Sequence, residues 1–393
     1  MNAVYLVFAG LLIFLSFRSY TAGLRYLRYF HDNLAIPPGY TPFASIIAPC
    51  RGLDHGLEDN LAAVASQDYP EYEIIFVVDD ANDLAVPAIT SHLGPNSRLV
   101  VAPKASRSSQ KVENLLAAVK HADPKSEVYI FVDSDAMPSS DWLRSLVAPL
   151  LESKTGASTG YRWFLSEEPS FASNLLSAWN ASIASSLGPH TKSNFCWGGS
   201  MAIRRDTFEA LDVRARWEGT LSDDFVMTNI IREAGLDIVF VPKALTASVV
   251  SVNFRQMIEF TTRQMKITRV YSPGLWIASL IGSGVFISVM LCSGLLLIFS
   301  HELYLKAAAA FTLGSVTLFS VGKALIRLKA VNLVLPQFEK NLRRQRLSQY
   351  TFWVLTPIIF FCNGVAALVS RRLKWRGTTY ELKSHTETVI ISD

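Results

Sequence analysis

Apolar runs break the chain into blocks of different periodicity. Residues 3–17 form an uncharged apolar run near the lower length limit for crossing a bilayer, and residues 275–300 are long enough to cross its ~30 Å hydrocarbon core. Residues 307–322, with Lys306 and Lys323 placed to snorkel at the two ends, and residues 350–370 make two further runs. The pattern predicts about four membrane helices, one before and three after a block spanning residues 40–270.

Inside that block the period changes. Ser45-Ile46-Ile47-Ala48-Pro49 reads as a short buried strand, and residues 57–67 carry Leu57, Leu61, Val64 and Ala65 at the spacing of a helix face. Glu73-Ile74-Ile75-Phe76-Val77-Val78 is the next strand and ends at Asp79-Asp80. Leu99-Val100-Val101, a helical stretch over residues 112–120 and the strand Val128-Tyr129-Ile130-Phe131-Val132 follow. Ser222 is placed to cap a helix through Phe225, Thr228, Ile231 and Ala234. A helix between successive strands implies parallel crossovers, so the fold class expected is α/β, a doubly wound, mostly parallel sheet. The expected division is a membrane anchor and juxtamembrane segment (1–35), the α/β domain (40–270), membrane helices (275–370) containing a basic interfacial loop (326–349), and a tail (371–393).

Composition is compatible with this division: 393 residues at 50% hydrophobic content hold one soluble domain plus spans. The first run could be a cleaved signal, but no Lys or Arg precedes it while Arg18, Arg25 and Arg28 follow. It reads as an uncleaved anchor with its N-terminus outside, which makes the α/β domain cytoplasmic. Crossing out at 275–300 and back at 307–322 leaves Arg327, Lys329, Lys340, Arg343, Arg344 and Arg346 inside, as the positive-inside rule asks. A fourth span would put Arg371, Arg372, Lys374 and Arg376 outside. Either the count is wrong by one or the last run is re-entrant.

The net charge of +4 is too small to point to nucleic acid. The basic residues at 327–346, interrupted by Leu333, Leu335, Phe338, Leu342 and Leu347, suit a segment at headgroup level facing anionic lipid; an ordinary basic loop is the alternative. Cys50 and Cys196 in the α/β block and Cys292 and Cys362 in apolar runs form neither a disulfide framework nor a zinc spacing, which fits a reducing compartment.

Candidate chemistry centres on Asp133-Ser134-Asp135, at the end of the 128–132 strand. Ligands of open α/β sheets bind outside such strand ends, and hard oxygen ligands favour Mg²⁺ or Mn²⁺ shared with phosphates. A lone Asp-x-Asp also fits a solvated turn; its neighbours in the chain add weight. No Gly-rich phosphate loop occurs, so phosphates would need a metal. Trp197-Gly198-Gly199-Ser200 is a tight segment of small residues. Asp223 and Asp224 open a helix, where acids complement the dipole. That reason weighs more for Asp223 than for Asp224, which is placed to act as a base. His190 reads as a loop histidine.

Ala48-Pro49-Cys50-Arg51-Gly52, Gln67-Asp68-Tyr69-Pro70, Glu73 through Asp80, Lys111-Val112-Glu113-Asn114-Leu115, the Asp133/Asp135 pair and Ser222-Asp223-Asp224 resemble, in order and rough spacing, a family 2 glycosyltransferase with the GT-A fold over residues 44–270. The flanking membrane runs make the chain most similar to ceramide glucosyltransferases and related bacterial lipid glycosyltransferases. Trp375-Arg376-Gly377-Thr378-Thr379-Tyr380 is also similar to the end of such enzymes.

The resemblance implies that Asp79 or Asp80 contacts the uracil of a UDP-sugar, with Lys111, Asn114 and Asp133 also on the nucleotide-sugar side. It implies that Asp135, with Asp133, holds the metal, that Asp224 is the general base, and that Trp197, Gly198, Gly199 and Asp223 lie toward the acceptor. Apart from the resemblance, Trp favours the headgroup level, so Trp197, Trp217 and Trp276 are placed either to form an apolar entrance or to serve as ordinary core or anchor aromatics. The family's Gln/Arg-x-x-Arg-Trp element appears here as Arg263-Gln264-Met265-Lys266-Ile267, with isoleucine in place of tryptophan. Arg263 and Lys266 would then support the phosphates or anchor the membrane surface. The function implied is inverting transfer of one hexose to a ceramide-like, diacylglycerol or hopanoid hydroxyl. The rivals are a polyprenyl-phosphate glycosyltransferase, a processive polysaccharide synthase and an inactive membrane scaffold.

Overall fold

The expected strand runs all pair. The computed structural model describes residues 2–35, 39–168 and 170–392. A seven-stranded sheet consists of β1 (Ala44–Pro49), β2 (Tyr72–Val78), β3 (Ser97–Val101), β4 (Val128–Val132), β5 (Thr155–Ser166), β6 (Ser200–Arg204) and β7 (Asp237–Val250), in the order β3-β2-β1-β4-β6-β5-β7. The first four are parallel, as the strand–helix rhythm predicts, while β6 runs antiparallel to both β4 and β5. Ile46, Ile47, Ile75, Phe76, Ile130 and Phe131 are fully buried, which is why these runs are continuously apolar rather than alternating. The fold is the α/β class expected, with a mostly parallel sheet.

Topology positions the site. Strand order reverses between β1 and β4, so the loops leaving these neighbours, residues 50–56 and 133–136, diverge at a switch point where ligands of open sheets bind. The register Val132↔Ser200 sets the residues before β6 opposite the loop after β4.

The chain forms two compact units. The sheet unit comprises Asp32–Glu167, Ser186–Ser251 and Arg371–Asp393, and the helical unit comprises Met1–His31, Glu168–Ser185 and Val252–Ser370. The expected 40–270 block is therefore interrupted. The helix Phe171–Ala184, apolar on most faces, and the helix Phe254–Tyr271, started by an Asn253/Gln256 capping box, fold with the membrane-type helices. The tail departs from expectation in the other direction: β8 (Arg372–Trp375), β9 (Thr378–Leu382) and β10 (Thr388–Ser392) form an antiparallel sheet that belongs to the sheet unit.

In the helical unit, Asn2–Asp32, Pro273–Phe299 and Leu303–Val334 are three helices long and apolar enough to cross a membrane. The expected fourth run is a broken pair, Arg346–Val354 and Thr356–Val369, bent by 55°. Pro357, which has no amide hydrogen to donate, sits in the first turn of the second piece, where a helix can begin but not continue. The expected interfacial loop 326–349 is also corrected. Residues 326–334 finish the third long helix and Glu339–Arg344 is helical, while Arg327 is only 7% exposed and donates to Gln349 Oε1 at 2.9 Å.

Candidate active site

The helix Gln110–Lys120 is fixed at its start by Ser109, whose hydroxyl accepts from Val112 N and donates to Leu221 O at 2.8 Å. This ties the helix to the loop preceding Asp223. Lys111, in its first turn, stands where the helix dipole disfavours a cation. Two carboxylates offset that cost: Lys111 Nζ lies 2.8 Å from Asp133 Oδ1 and 3.3 Å from Asp223 Oδ1. Burial lowers the lysine's proton affinity, but Asp133 and Asp223 outweigh it and the ammonium is held more firmly than usual. Burial opposes ionisation of Asp133 as well, and there Lys111 prevails and holds the carboxyl below its usual range.

Asp223 and Asp135 go the other way. Burial, reinforced by Asp224 and Asp133 and opposed by Lys111, pushes Asp223 up to about 6. Burial, opposed by Arg162 and reinforced by Asp133 and Asp54, pushes Asp135 up to about 6. Asp135 Oδ2 lies 3.5 Å from Arg162 Nη1, while Asp135 Oδ1 and Asp223 Oδ2 are sealed from solvent with no hydrogen-bond partner. Such oxygens are costly unless something binds them. Among the described residues no three His, Cys, Asp or Glu side chains form a metal cage. One carboxylate oxygen completed by phosphates and water is nonetheless a usual donor set for Mg²⁺, so the residues fit the expected Mg²⁺ or Mn²⁺.

The glycines before β6 are required by close approach. A Cβ on Gly198 would lie 2.0 Å from Asp223 Oδ2, and one on Gly199 would lie 2.2 Å from the Trp197 ring and 2.7 Å from Asp133 Oδ2. Trp197, Gly198, Gly199, Asp133, Asp223 and Lys111 are thus one constellation. Arg162, on β5, joins it, stacked over Phe164 and Trp197 at 4.7 and 5.3 Å. The sequence signal for Arg162 was a single charge inside the apolar run 161–165.

The other expected residues divide. Asp79 is buried and meets Lys104 Nζ at 2.8 Å and Arg51 Nε at 3.9 Å, whereas Asp80 is exposed and accepts from Asn82 N in a turn. Asn114 accepts from Gln110 Nε2 within its own helix. Asp224 Oδ1 accepts from Phe225 N at 2.7 Å and from the Ser222 hydroxyl. Ser222 occupies the N-cap position but makes no side-chain cap bond, because its hydroxyl turns to Asp224.

Trp217 is not an entrance residue. It is fully buried against Phe131 and Phe208, with its indole N–H on Asp223 O. Trp276, whose indole N–H donates to Gly364 O, belongs to the helical unit. So do Arg263, over Phe260 at 5.2 Å, and Lys266, whose ammonium is disfavoured by burial. His190 is exposed.

One further residue of the cluster carried no sequence signal. Asp54, in the loop after β1, accepts from Ser134 Oγ at 2.5 Å through Oδ2 and from Arg376 Nη2 through Oδ1. Only the fold brings residues 54, 134 and 376 together.

The model described as glycosyl transferase family 21 matches residues 11–388. The chain belongs to that family. The match bears out the resemblance to the ceramide glucosyltransferase type and makes the protein a glycosyltransferase. Among solved structures, this glycosyltransferase is similar to the mannosyltransferase PcManGT from Pyrobaculum calidifontis in complex with GDP-Man and Mn²⁺, with 18% identity, a TM-score of 0.49 and coverage of 93% of this chain and 99% of that one. It is also similar to glucosyl-3-phosphoglycerate synthase from Mycobacterium tuberculosis in complex with Mn²⁺ and UDP-glucose, with 14% identity, a TM-score of 0.37 and coverage of 58% and 82%.

Proposed function

We propose that this glycosyltransferase moves a single hexose, with inversion, from a UDP-sugar to a lipid hydroxyl of the ceramide, diacylglycerol or hopanoid kind at the cytoplasmic membrane face. The observation that carries the reading is the sealed, unpartnered Asp135 Oδ1 beside the Lys111–Asp133–Asp223 bridge, in a chain that also holds three helices able to cross a membrane. Sugar transfer breaks the bond from the anomeric carbon to the diphosphate, and negative charge collects on the departing nucleotide. A divalent cation held through Asp135, with Asp133 beside it, would supply Lewis-acid neutralisation of that charge.

The chain's own residues do the rest. Asp79, paired with Lys104 and Arg51, faces the base of the nucleotide. Lys111 keeps Asp133 ionised and ties the 223–224 helix start to the end of β4. Asp224, oriented by Ser222 and the Phe225 amide, takes the acceptor proton as the new C–O bond forms on the face opposite the leaving nucleotide. That gives direct displacement and inversion. One observation favours Asp223 as the base instead: its sealed oxygen and its elevation to about 6 poise it closer to neutral pH. No step is assigned to Arg263 or Lys266.

Orientation follows from parity. The tail folds with the sheet unit, and two long helices lie between Val252 and Leu335, which return the chain to its starting side. The bent pair 346–369 then enters and leaves by that side, so Arg371, Arg372, Lys374 and Arg376 share the cytoplasmic side with the sheet. Single cysteines at positions 301 and 384 in an otherwise accessible-cysteine-free chain should label from opposite faces; labelling from one face contradicts this topology.

The deciding experiment incubates membranes with radiolabelled UDP-hexoses and extracts them with organic solvent. Label in a neutral or sphingoid lipid supports the proposal. Label in an acid-labile polyprenyl phosphate, in polymer or nowhere selects each rival in turn.

A further inference from the structure

The tail hairpin has an unusual tip. Between β8 and β9, Trp375 pairs with Thr378 across a two-residue turn in which Arg376 and Gly377 take φ of 50° and 92°. Turns of this left-handed kind favour Asn, Asp or Gly at the first position, so a bulky arginine there is strained. Strain of this kind persists where the surroundings impose it, and often serves function. Here the surroundings are the site. Arg376 Nη2 donates to Asp54, whose other oxygen accepts from Ser134 between Asp133 and Asp135.

Three more contacts lay the tail across the loops that carry the site. Arg51 Nη1 donates to Thr378 Oγ1 at 3.3 Å, and Gln110 N, beside Lys111, donates to the Tyr380 hydroxyl at 3.2 Å. A Cβ on Gly219, just before the Asp223–Asp224 helix, would lie 2.5 Å from Thr386 O. A simple surface clip would need none of this convergence on the loops around the site. Partial desolvation lowers the proton affinity of Arg376, whose side chain is 40% exposed, but Asp54, Asp135 and Asp133 together outweigh it and favour its charge.

We infer that the tail is a strap over the donor site and that Arg376 binds the diphosphate of the nucleotide sugar, exchanging Asp54 for a phosphate oxygen when the donor arrives. A guanidinium suits this exchange because its planar fork of donors matches phosphate as well as carboxylate. The inference rests on the donor reading proposed above.

The test measures binding of UDP, GDP and uridine to the full-length enzyme with Mn²⁺, in wild type and in the variants Arg376→Ala, Arg376→Lys and Tyr380→Phe, with melting temperature recorded for each. Arg376→Ala should weaken UDP binding about tenfold or more while uridine binding stays unchanged, with partial recovery in Arg376→Lys. Tyr380→Phe, which loosens the strap but keeps the guanidinium, should lower the melting temperature and leave the difference between UDP and uridine intact. Equal losses for UDP and uridine, or no loss for either, reduce Arg376 to a clip and overturn the inference alone. Wild-type binding of GDP in place of UDP corrects the donor reading, and Arg376 is then judged on GDP against guanosine. Wild type that binds neither diphosphate overturns both.

Discussion

Each of the two units buries a cation, and they do so by opposite means. Lys111 in the sheet unit is bridged to two carboxylates. Arg327 in the helical unit meets the neutral amide of Gln349, which in turn donates to Ser177 Oγ at 3.1 Å. Opposed charges gathered beyond the carboxyl end of the central strand β4 leave strong fields and unsatisfied oxygens, the conditions for binding a metal and a diphosphate. A cation solvated by neutral dipoles leaves little field, and its bonds serve to fasten helices together. The contrast sets the proposed chemistry in one unit and the helices able to cross a membrane in the other.

Lys111→Met should test that contrast most severely. It strands Asp133 and Asp223 together, so a stability loss of about 3–5 kcal/mol and transfer below detection are expected, read by thermal unfolding and lipid extraction. Near-normal activity would show that the bridge is only structural. Excess chelator, or Asp135→Ala, should abolish transfer and weaken UDP binding together; a solvated-turn aspartate would leave both intact.

Asp224→Asn keeps size and hydrogen-bonding capacity but removes basicity, so turnover should fall by roughly 10²-fold or more while UDP affinity survives. If Asp223→Asn shows that signature and Asp224→Asn merely melts earlier, the base is Asp223.

The elevated Asp223 gives a pH signature. Its carboxyl titrates near 6 in the folded protein, and near ~3.9 in an unfolded chain. Between these values the folded state holds the extra proton. This group's contribution to stability is therefore greatest below pH ~4 and declines as pH rises toward ~6. Denaturation of the metal-free protein across that window should show the decline, and Asp223→Asn should flatten it. The smallest effect belongs to the helical unit: Arg327→Met should cost about 1–3 kcal/mol by orphaning the Gln349 amide, with turnover retained.

The edges of the fold that were legible lie where a run of residues answers to one environment. Strands β1, β2 and β4 are buried on both faces, so Ile46, Phe76 and Phe131 announce them without any partner being known. Strands β5 and β7 were not legible at their full length, because Gly156, Ser158, Thr159 and Gly160 in β5 and Pro242 and Lys243 in β7 interrupt their apolar runs, and the chain does not spell out the sheet order that pairs them. The 350–370 run stayed open for a related reason: hydropathy sets whether a segment enters a membrane, not whether it crosses, and here the run is two helices bent by 55°.

By itself the sequence determined the α/β class, the acidic strand end at Asp133–Asp135, the three long apolar helices and the family, all written in local period or contiguous motif. Tertiary structure alone decided that Asp54, Ser134 and Arg376 share a bond network, that Gly198 and Gly199 make room for Asp223 and Asp133, that Trp217 is core, and that the tail returns to the sheet. These depend on distances between residues up to 322 positions apart. A local pattern constrains a residue's neighbours along the chain. Only the closure of the sheet and its loops sets its neighbours in space.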